Sequence, residues 1–341
     1  MKIVILGQPQ AGQQQLFSLL TGISLENIMQ KPLEVQQGIS EVRDSRLTRL
    51  IEMYKPKKSA YARIEYSLLP DFNLTGPSKD IIFSQLKNSD EICWVARSET
   101  AKSDVANFVS ELIITDTMLV EKRLDTIAKD QRKKYSDIRE KEKELMETCK
   151  KQLEAEKPLK DYPFNDEQKK TIRTYQFFTM KPLFIVVNVP ESKIKEASIS
   201  QEIQKAVNYP SIQVSAELEE EISQLGESER GEFTKELGVA ESALSKMTRM
   251  AYEGLGLISF FTVGEDEVKA WPVPKGASAP EAGSVIHSDI EKGFVRAEMM
   301  KYDDLITAGS EAKLKEQGKF YLKGRDYIVE DGDILSFRFN V

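Results

Sequence analysis

The residues best suited to chemistry in this sequence form a short loop near its beginning. Glycines frame the loop at Gly7 and Gly12, the spacing of a phosphate-binding P-loop. In a working P-loop the next residue is a lysine that adds positive charge, and a serine or threonine follows it and holds Mg²⁺. Here those two positions are Gln13 and Gln14. The predicted degenerate phosphate loop comprises Gly7, Gln8, Pro9, Gln10, Ala11, Gly12, Gln13, Gln14 and Gln15.

Neutral amides at these two positions weaken phosphate binding. A charged hydrogen bond contributes roughly 1.5–3 kcal/mol, against about 1 kcal/mol for a neutral one. Losing the lysine and the metal ligand together therefore predicts a loss of roughly a hundredfold or more in affinity. ATP or GTP stays a candidate ligand, whereas we expect no Mg²⁺, no other metal and no catalytic residue. The alternative is that the glycines belong to an ordinary strand–turn–helix with no ligand.

The second Mg²⁺-binding position of such a site is also altered. An active NTPase of this type needs an aspartate at the end of a later strand and a glycine three residues after it. By position, Leu68 stands where the aspartate is expected and Asp71 where the glycine is expected. Asp71 is either a ligand in a shifted register or a solvated residue of a turn.

A third group of residues follows two apolar runs later in the chain. Asn188 and Glu191 come directly after the run Pro182 to Val187, and Ser215 and Ala216 follow Ile212 to Val214. In a P-loop GTPase-type fold these strand ends recognise the base. The asparagine amide faces the purine edge, the acidic group accepts a hydrogen bond from it, and the Ser-Ala backbone closes the pocket. We therefore predict that Asn188, Glu191, Ser215 and Ala216 bind a base.

Alternating strands and helices must position these residues. The apolar runs that predict buried strands are Lys2 to Leu6, Arg63 to Leu69, Glu91 to Ala96, Pro182 to Val187 and Ile212 to Val214. Helical spacing follows the loop at Leu16 and Phe17, and an amphipathic helix is predicted from Ser45 to Tyr54. The fold class is therefore α/β, a P-loop GTPase-like and mostly parallel sheet.

Between the third and fourth strands lies a highly charged segment. We predict a long helix from Val120 to Lys157 that folds back through residues 158–163 to form a two-helix coiled-coil arm. One narrow apolar stripe marks its seam, formed by Leu124, Ile127, Ile138, Leu145, Cys149 and Leu153. The charged face is either solvated or docks a partner. A further acidic helical segment is predicted from Glu217 to Met250, interrupted at Gly226 and Gly238.

The last part of the chain predicts a small β-rich unit crossed by one helix, an arrangement similar to a β-grasp fold. The helix runs from Pro280 to His287, with Pro280 in its first turn. The predicted strands are Val268 to Val273, Phe294 to Met300, Lys319 to Leu322, Tyr327 to Val329 and Ile334 to Phe339.

Composition limits the compartment and the partners. The chain has 341 residues and a net charge of −7, which argues against nucleic-acid binding over its whole surface. Its two cysteines, Cys93 and Cys149, lie in unlike contexts and do not suggest a disulfide. We find no signal peptide and no apolar run near 18 residues, so we expect a cytoplasmic protein that does not enter a membrane.

A series of short motifs fills the C-terminal stretch: Glu267 to Trp271, Gly276 to Pro280, Ile286 to Asp289, Glu291 to Phe294, Arg296 to Glu298, Asp326 to Val329, Asp331 to Asp333 and Phe337 to Val341. With these motifs the stretch closely resembles the TGS-type domain of the YchF-type Obg-related ATPase family, and weaker similarity extends over nearly the whole chain. Before the C-terminal stretch, the matching residues include Gly7, Pro9, Gly12, Leu16, Phe17, the segment Lys55 to Lys58, Asn188 and Glu191.

The resemblance implies a P-loop ATPase with a GTPase-type fold, an inserted coiled-coil arm and a C-terminal TGS domain. It places the P-loop domain at residues 1–115 and 179–262, the arm at 116–178 and the TGS domain at 263–341. The family's Asn-x-x-Glu pattern favours adenine, and its members are cytoplasmic and associate with ribosomes. This chain departs from the family pattern at Gln13, Gln14 and Leu68.

Three functions stay open on the sequence. The leading one is a pseudo-NTPase scaffold that presents the arm and the TGS domain to the ribosome or to ribosomal RNA. The others are an unusual ATPase or GTPase, with Lys2, Lys55 or Lys57 replacing the missing charge, and a protein that senses an adenine nucleotide without hydrolysis. The oligomeric state is not indicated by the sequence. Candidate RNA or partner contacts are His287, Lys292, Arg296, Lys323 and Arg325, with Lys275 and Lys301 beside them.

Overall fold

Buried runs of Ile, Val and Leu form the central strands of a parallel sheet, as predicted. The computed structural model describes residues 1–72, 78–131, 137–196, 198–226, 229 and 242–340. These group into two compact units. The loop unit holds residues 2–38 and 66–247, and the C-terminal unit holds Met1, residues 39–65 and residues 248–341. The predicted division into three domains stays a prediction.

The sheet that carries the phosphate loop has the strand order β2-β4-β1-β5-β6-β7. Its strands are β1 (Lys2–Gly7), β2 (Gln36–Glu41), β4 (Arg63–Leu68), β5 (Glu91–Arg97), β6 (Leu183–Asn188) and β7 (Ser211–Val214). The pairs β1–β5, β5–β6 and β6–β7 are all parallel, so the carboxyl ends of these four strands lie at one edge of the sheet. β5 and β6 are buried almost throughout because helices cover both faces of a parallel sheet.

Helices follow most of these strands, and a large apolar core lies between them and the sheet. Among the described residues, the helices of the loop unit outside the arm include α1 (Gln13–Thr21), α2 (Leu25–Met29), α4 (Ser78–Lys87), α8 (Ser198–Val207) and α9 (Ala216–Gln224). The core includes Trp94 stacked on Phe108, with ring centroids 4.3 Å apart, and Phe72 against the edge of both rings. Phe72 thereby fixes the chain directly after β4, next to the phosphate loop.

One buried polar residue stands out in this sheet. Glu91 begins β5, is fully buried, and its two carboxylate oxygens have no hydrogen-bond partner among the described residues. Burial, reinforced by the neighbouring charge of Asp90, raises the pKa of the Glu91 carboxyl to about 9. Glu91 is therefore an uncharged acid at neutral pH, at the end of the sheet opposite the phosphate loop.

The arm is a helical hairpin rather than one long helix. α5 (Ala101–Gln131) ends well before Lys157, and α6 (Asp137–Glu154) runs back along it, so the predicted unbroken helix from Val120 to Lys157 is wrong. The intervening residues 132–136 lie outside the described residues. The apolar seam includes Leu145, Cys149 and Leu153 as predicted, but Ile138 is 78% exposed and is not part of it. The short helix α7 (Asp166–Arg173) begins with a capping box at Asn165 and completes the arm.

Two polar groups hold the arm together. Within the hairpin, Glu142 accepts hydrogen bonds from Arg123, Arg139 and Tyr175. At the root of the arm, the fully buried Asp116 of α5 accepts from the backbone N–H groups of Phe178 and Thr179, at 2.9 and 2.8 Å, and from the Thr179 hydroxyl at 2.7 Å. Burial raises the pKa of the Asp116 carboxyl to about 6, although these donors oppose the shift.

The C-terminal unit is built on a mixed sheet of order β11-β10-β12-β8-β9-β3. Its strands are β3 (Lys58–Ala60), β8 (Leu257–Thr262), β9 (Glu267–Pro274), β10 (Phe294–Lys301), β11 (Tyr321–Lys323) and β12 (Asp333–Phe339). Its helices are α3 (Ser45–Tyr54), α10 (Ala243–Gly254, which begins in the loop unit), α11 (Ala279–Ile286), α12 (Ser288–Lys292), α13 (Tyr302–Ala308) and α14 (Glu311–Glu316). α11 crosses the sheet as predicted, beginning with a capping box at Ser278 and a proline in its first turn.

The early segment 39–65 belongs to this unit through specific contacts. Arg46 forms ion pairs with its neighbour Asp44 at 2.8 Å and with Asp331 at 2.7 Å, and its guanidinium lies over the ring of Phe261. β3 pairs in parallel with β9 as an edge strand of the sheet. The C-terminal unit is therefore completed by residues that precede it by about two hundred positions.

Several sequence-based assignments in this part are corrected. Residues 327–329 form no strand and contribute one isolated bridge, between Ser278 and Ile328. The helical segment predicted from Glu217 to Met250 contains α9 and most of α10, while Gly238 lies outside the described residues. In the part of the chain that the structure describes, no helix combines the length and apolarity needed to cross a membrane.

Candidate nucleotide site

The phosphate loop has the predicted shape. β1 ends at Gly7, a turn follows in which Ala11 N–H donates to the Gln8 carbonyl at 3.1 Å, and α1 begins at Gln13. Gly7 must be a glycine because a Cβ there would collide with the carbonyl oxygen of Val95 on β5. Gly12, with φ of 95°, caps α1 in the left-handed region and offers no side-chain oxygen to its first turn.

The two glutamines that replace the lysine and the hydroxyl residue both point to one carboxylate. Gln13 Nε2 donates to Asp71 Oδ1 at 2.6 Å and to the Gln8 carbonyl at 3.1 Å. Gln14 Nε2 donates to the same Asp71 oxygen at 3.0 Å. Gln13 is fully buried, and its Oε1 atom has no hydrogen-bond donor among the described residues. The Asp71 carboxylate therefore accepts a hydrogen bond from the side chain at each of the two altered positions.

Asp71 lies next to Gln13 and Gln14 because β4 ends beside the phosphate loop. The N–H of Phe72 donates to the carbonyl of Gly7 at 2.9 Å, which joins the chain after β4 to the first loop glycine. Leu68 is 3% exposed and lies in the apolar interior, where it offers no ligand to a metal. The Asp71 carboxylate is partly buried and accepts hydrogen bonds from two side-chain amides, so it is not simply a solvated residue of a turn. Its role as a metal ligand in a shifted register stays a prediction.

The predicted base-binding residues meet at the adjacent strand end. Asn188 Nδ2 donates to the Ala11 carbonyl at 3.1 Å, and Asn188 Oδ1 accepts from the Ala216 N–H at 3.0 Å. The Ser215 hydroxyl is buried and caps α9 by accepting from Leu218 N–H at 3.3 Å. Glu191 is exposed in the single turn of 3-10 helix after β6. The asparagine thus joins the phosphate loop to the Ser-Ala segment, and each polar atom of its amide keeps capacity for one more hydrogen bond.

Sequence reasoning missed one charged residue at this edge. Arg97 ends β5 directly opposite Asn188, and because side chains alternate along a strand both lie on the face that carries Gly7. The guanidinium is exposed and forms no hydrogen bond or ion pair with the described residues. Its position at the end of the buried run that begins at Glu91 is the signal that could have identified it, since parallel strand ends share one edge.

The proposed substitutes for the missing lysine are differently placed. Lys2 lies at the amino end of β1, where its Nζ donates to Gln85 Oε1 at 3.2 Å, so five residues of extended strand, roughly 16 Å, separate it from Gly7. Lys2 therefore cannot serve the loop, and that suggestion is wrong. Lys57 forms an ion pair with Asp266 at 2.8 Å, and Lys55 caps α3 in the left-handed region with φ of 46°.

The candidate RNA contacts of the C-terminal unit are spread over several elements. His287 caps α12, its Nδ1 accepting from Asp289 N–H at 3.2 Å, and the exposed Lys292 lies 3.9 Å from the Asp289 carboxylate. The Lys323 ammonium lies over the rings of two tyrosines on its own unit.

Two further members of this set are arginines. Arg325 donates to the Phe294 carbonyl at 3.0 Å. Arg296 is exposed on β10 directly opposite Arg338. Of the basic residues beside the set, Lys301 is occupied by ion pairs with Glu330 and Asp333. Their role in binding stays a prediction. Arg296 is exposed and has no hydrogen bond or ion pair with the described residues.

The chain is similar to known proteins over its full length. It is 35% identical over 362 residues to the "Ribosome-binding ATPase YchF" of Bacillus subtilis, covering 99% of this chain and 98% of the relative. It is 32% identical to the protein of the same description from Escherichia coli O157:H7, covering 100% of this chain and 99% of the relative.

Two further comparisons agree with these relatives. The solved structure of the Schizosaccharomyces pombe YchF GTPase superposes with a TM-score of 0.84 at 27% identity, covering 99% of this chain and 97% of that one. Residues 257–340 match the family model YchF-GTPase_C, described as a protein of unknown function. The fold is accordingly the predicted P-loop GTPase-like one, and the chain belongs to the YchF family.

Proposed function

We propose that this chain is a ribosome-binding member of the YchF family that does not hydrolyse nucleoside triphosphates. The curated relatives are described as ribosome-binding ATPases, which supports the ribosome as partner and the cytoplasm as location. The departure from ATPase activity rests on the phosphate loop. On this proposal the α/β body is a scaffold for the helical arm and the C-terminal unit.

One observation carries the loss of hydrolysis: the Asp71 carboxylate accepts from both Gln13 and Gln14. An active loop offers an ammonium group and a magnesium ion to the phosphates, and the two stabilise the charge that develops during phosphoryl transfer. Here the same positions carry neutral amides that are already bonded to an anion. A triphosphate would bring its negative charge against this carboxylate, with no lysine to offset the repulsion.

Single-turnover and steady-state assays with ATP and GTP test this part of the proposal. Purified protein should release phosphate no faster than a blank, with or without Mg²⁺. The matched control is Gly12→Val, which places a side chain against Asn188 and closes the loop. Turnover clearly above the blank that disappears in Gly12→Val would show an active NTPase and overturn the proposal.

Co-sedimentation with ribosomes tests the partner. The full-length chain should pellet with ribosomes at low salt without added nucleotide, and the pelleted fraction should fall steeply as salt rises because phosphate contacts release counterions. Arg296→Gln should reduce the pelleted fraction. Arg49→Gln removes an exposed arginine that is paired with Glu52, and it should leave the pelleted fraction unchanged. If the wild-type chain stays in the supernatant at low salt, the ribosome is not its partner.

A further inference from the structure

We propose that the altered loop binds a purine nucleoside whose 5′ group donates hydrogen bonds, a hydroxyl or an ammonium, and that it discriminates against 5′-phosphates. This inference rests on the proposed function, in that the loop is taken not to hold a triphosphate. It goes further by naming the ligand class that the same site accepts. The reason is that the inner end of the loop, at Gln13 and Asp71, presents hydrogen-bond acceptors where an active P-loop presents donors.

The inner end of the loop is rich in acceptors. The Gln13 amide donates both of its N–H groups, one to the Gln8 carbonyl and one to Asp71. Its Oε1 atom is buried without a donor among the described residues. Turning this amide over would place its oxygen against two acceptors, so the orientation follows from the hydrogen-bond network. A buried acceptor without a partner costs free energy, and a ligand donor that reaches this oxygen as the loop opens would recover it.

Asp71 adds a negative charge beside this acceptor. A phosphate group offers only acceptors and negative charge at neutral pH, so it matches neither the Gln13 oxygen nor the Asp71 carboxylate. A hydroxyl or ammonium group supplies the missing donor, and an ammonium group also pairs with the carboxylate. The loop therefore selects against the ligands that an active P-loop selects for.

The outer end of the site keeps groups that suit a purine. Asn188 retains one N–H and one acceptor position next to the loop, and an amide of this kind can bond both to the amino group and to the ring nitrogen of adenine. Glu191 offers an exposed carboxylate three residues later. On this proposal the nucleoside lies with its base at Asn188 and its 5′ carbon toward Asp71.

The positive charge of Arg97 favours a phosphate and so opposes this selection, but the position of Arg97 limits the effect. It lies opposite Asn188, two residues beyond the β5 residue that pairs with Gly7, so it belongs to the base end. Glu99 is close enough that Arg97 and Lys193 contribute, after its hydrogen bond from Ser98, to lowering the pKa of its carboxyl. A neighbouring carboxylate therefore offsets part of the charge of Arg97.

Isothermal titration of the full-length, nucleotide-free protein with four probes tests the inference. The probes are 5′-amino-5′-deoxyadenosine, adenosine, AMP, and ATP with and without Mg²⁺. The amino compound should bind tightest, adenosine next, and AMP and ATP about tenfold or more weaker than the amino compound, the factor expected for a charge-assisted hydrogen bond. AMP binding as tightly as adenosine would overturn the proposal.

A substitution identifies Asp71 as the cause. In Asp71→Asn the amino compound should weaken by about tenfold and AMP should tighten, because the charge is removed while an acceptor oxygen remains. Asp90→Asn is the matched control: it removes the same charge at the opposite end of the sheet, where Asp90 accepts from Lys2 N–H, and it should leave the order of ligands unchanged. An unchanged order in Asp71→Asn would contradict the inference.

The outcomes also separate this inference from the proposed function. If no nucleoside binds and ATP is not hydrolysed, the ligand assignment fails while the loss of hydrolysis stands. If ATP binds with Mg²⁺ more tightly than adenosine but is not turned over, the ligand assignment again fails alone. ATP binding followed by turnover would overturn both.

Discussion

The phosphate loop and the root of the arm each place a carboxylate among hydrogen-bond donors, but with different donors and different burial. Asp116 is fully buried and accepts from two backbone N–H groups and a buried hydroxyl. Asp71 is only partly buried and accepts from the side-chain amides of Gln13 and Gln14. Backbone donors cannot be changed by substitution, whereas amide side chains can. We infer that Asp116 serves the fold and that Asp71 sets the charge of a site.

Removing the carboxylate at the arm root should have the largest effect. Asp116→Ala leaves three buried donors without an acceptor, and we expect a loss of roughly 3 kcal/mol in the free energy of unfolding. Asp116→Asn keeps one acceptor oxygen and should lose about half as much. Urea unfolding followed by circular dichroism measures both. A loss below about 1 kcal/mol for Asp116→Ala would show that the root does not depend on this carboxylate.

Glu91, another buried carboxyl of the loop unit, sharpens the comparison because neither of its oxygens has a donor among the described residues. Its folded pKa of about 9 lies above the unfolded value of 4.5, so the folded state keeps a proton that the unfolded chain has released. Stability should therefore fall as the pH rises toward 9, by on the order of 2 kcal/mol between pH 7 and pH 9. Glu91→Gln should flatten this dependence in urea unfolding over the same range, and parallel curves for the two proteins would contradict the assignment.

The hydroxyl that serves Asp116 can be removed on its own. Thr179 Oγ1 donates to Asp116 and accepts from the Leu159 N–H at 3.2 Å, so Thr179→Val removes two buried hydrogen bonds at nearly constant shape. We expect a loss of about 1–2 kcal/mol in the free energy of unfolding. Thr171→Val, at a partly exposed helical threonine, is the control and should change stability little. Equal losses in the two variants would mean that the hydroxyl at the root contributes nothing specific.

The smallest change should come from the loop. Asp71→Asn keeps an oxygen for the two glutamine amides and relieves a partly exposed charge, so we expect a change in stability below about 0.5 kcal/mol. The same substitution should alter ligand preference as described above. Chemical denaturation beside Asp116→Asn gives the direct comparison, and a loss as large as that of the arm-root variant would show that Asp71 is a structural residue after all.

Much of the fold was predictable because its signals are local. The runs that became β1, β5 and β6, the two loop glycines, and the proline and serine that begin α11 all act over a few residues. What failed depended on distant partners. β3 has only three residues and exists because it pairs with β9, and Ile138 fits the helical stripe by spacing but lies where the hairpin leaves it 78% exposed.

In the candidate site, too, local features were predictable and contacts between distant residues were not. The positions of Gln13, Gln14 and Asn188 follow from spacing, but the bonds from the glutamines to Asp71 join residues 58 and 57 positions apart. Whether an aspartate after a strand faces water, a metal or an amide depends on how closely that strand end approaches the loop. The hydrogen bond from Phe72 N–H to the Gly7 carbonyl holds the end of β4 close to the loop, and no local sequence pattern predicts this bond.

The composition of the C-terminal unit bears on how the chain is made. Residues 39–65 leave the ribosome early, yet their sheet partner β9 is translated about two hundred residues later, and Asp331, the ion-pair partner of Arg46, follows Arg46 by 285 residues. At about 5–20 residues per second, this segment waits on the order of ten to forty seconds for β9 alone. During synthesis the strand Lys58–Ala60 and the apolar face of α3 are therefore uncovered, and a nascent chain stalled before Glu267 should expose both to chaperones and proteases.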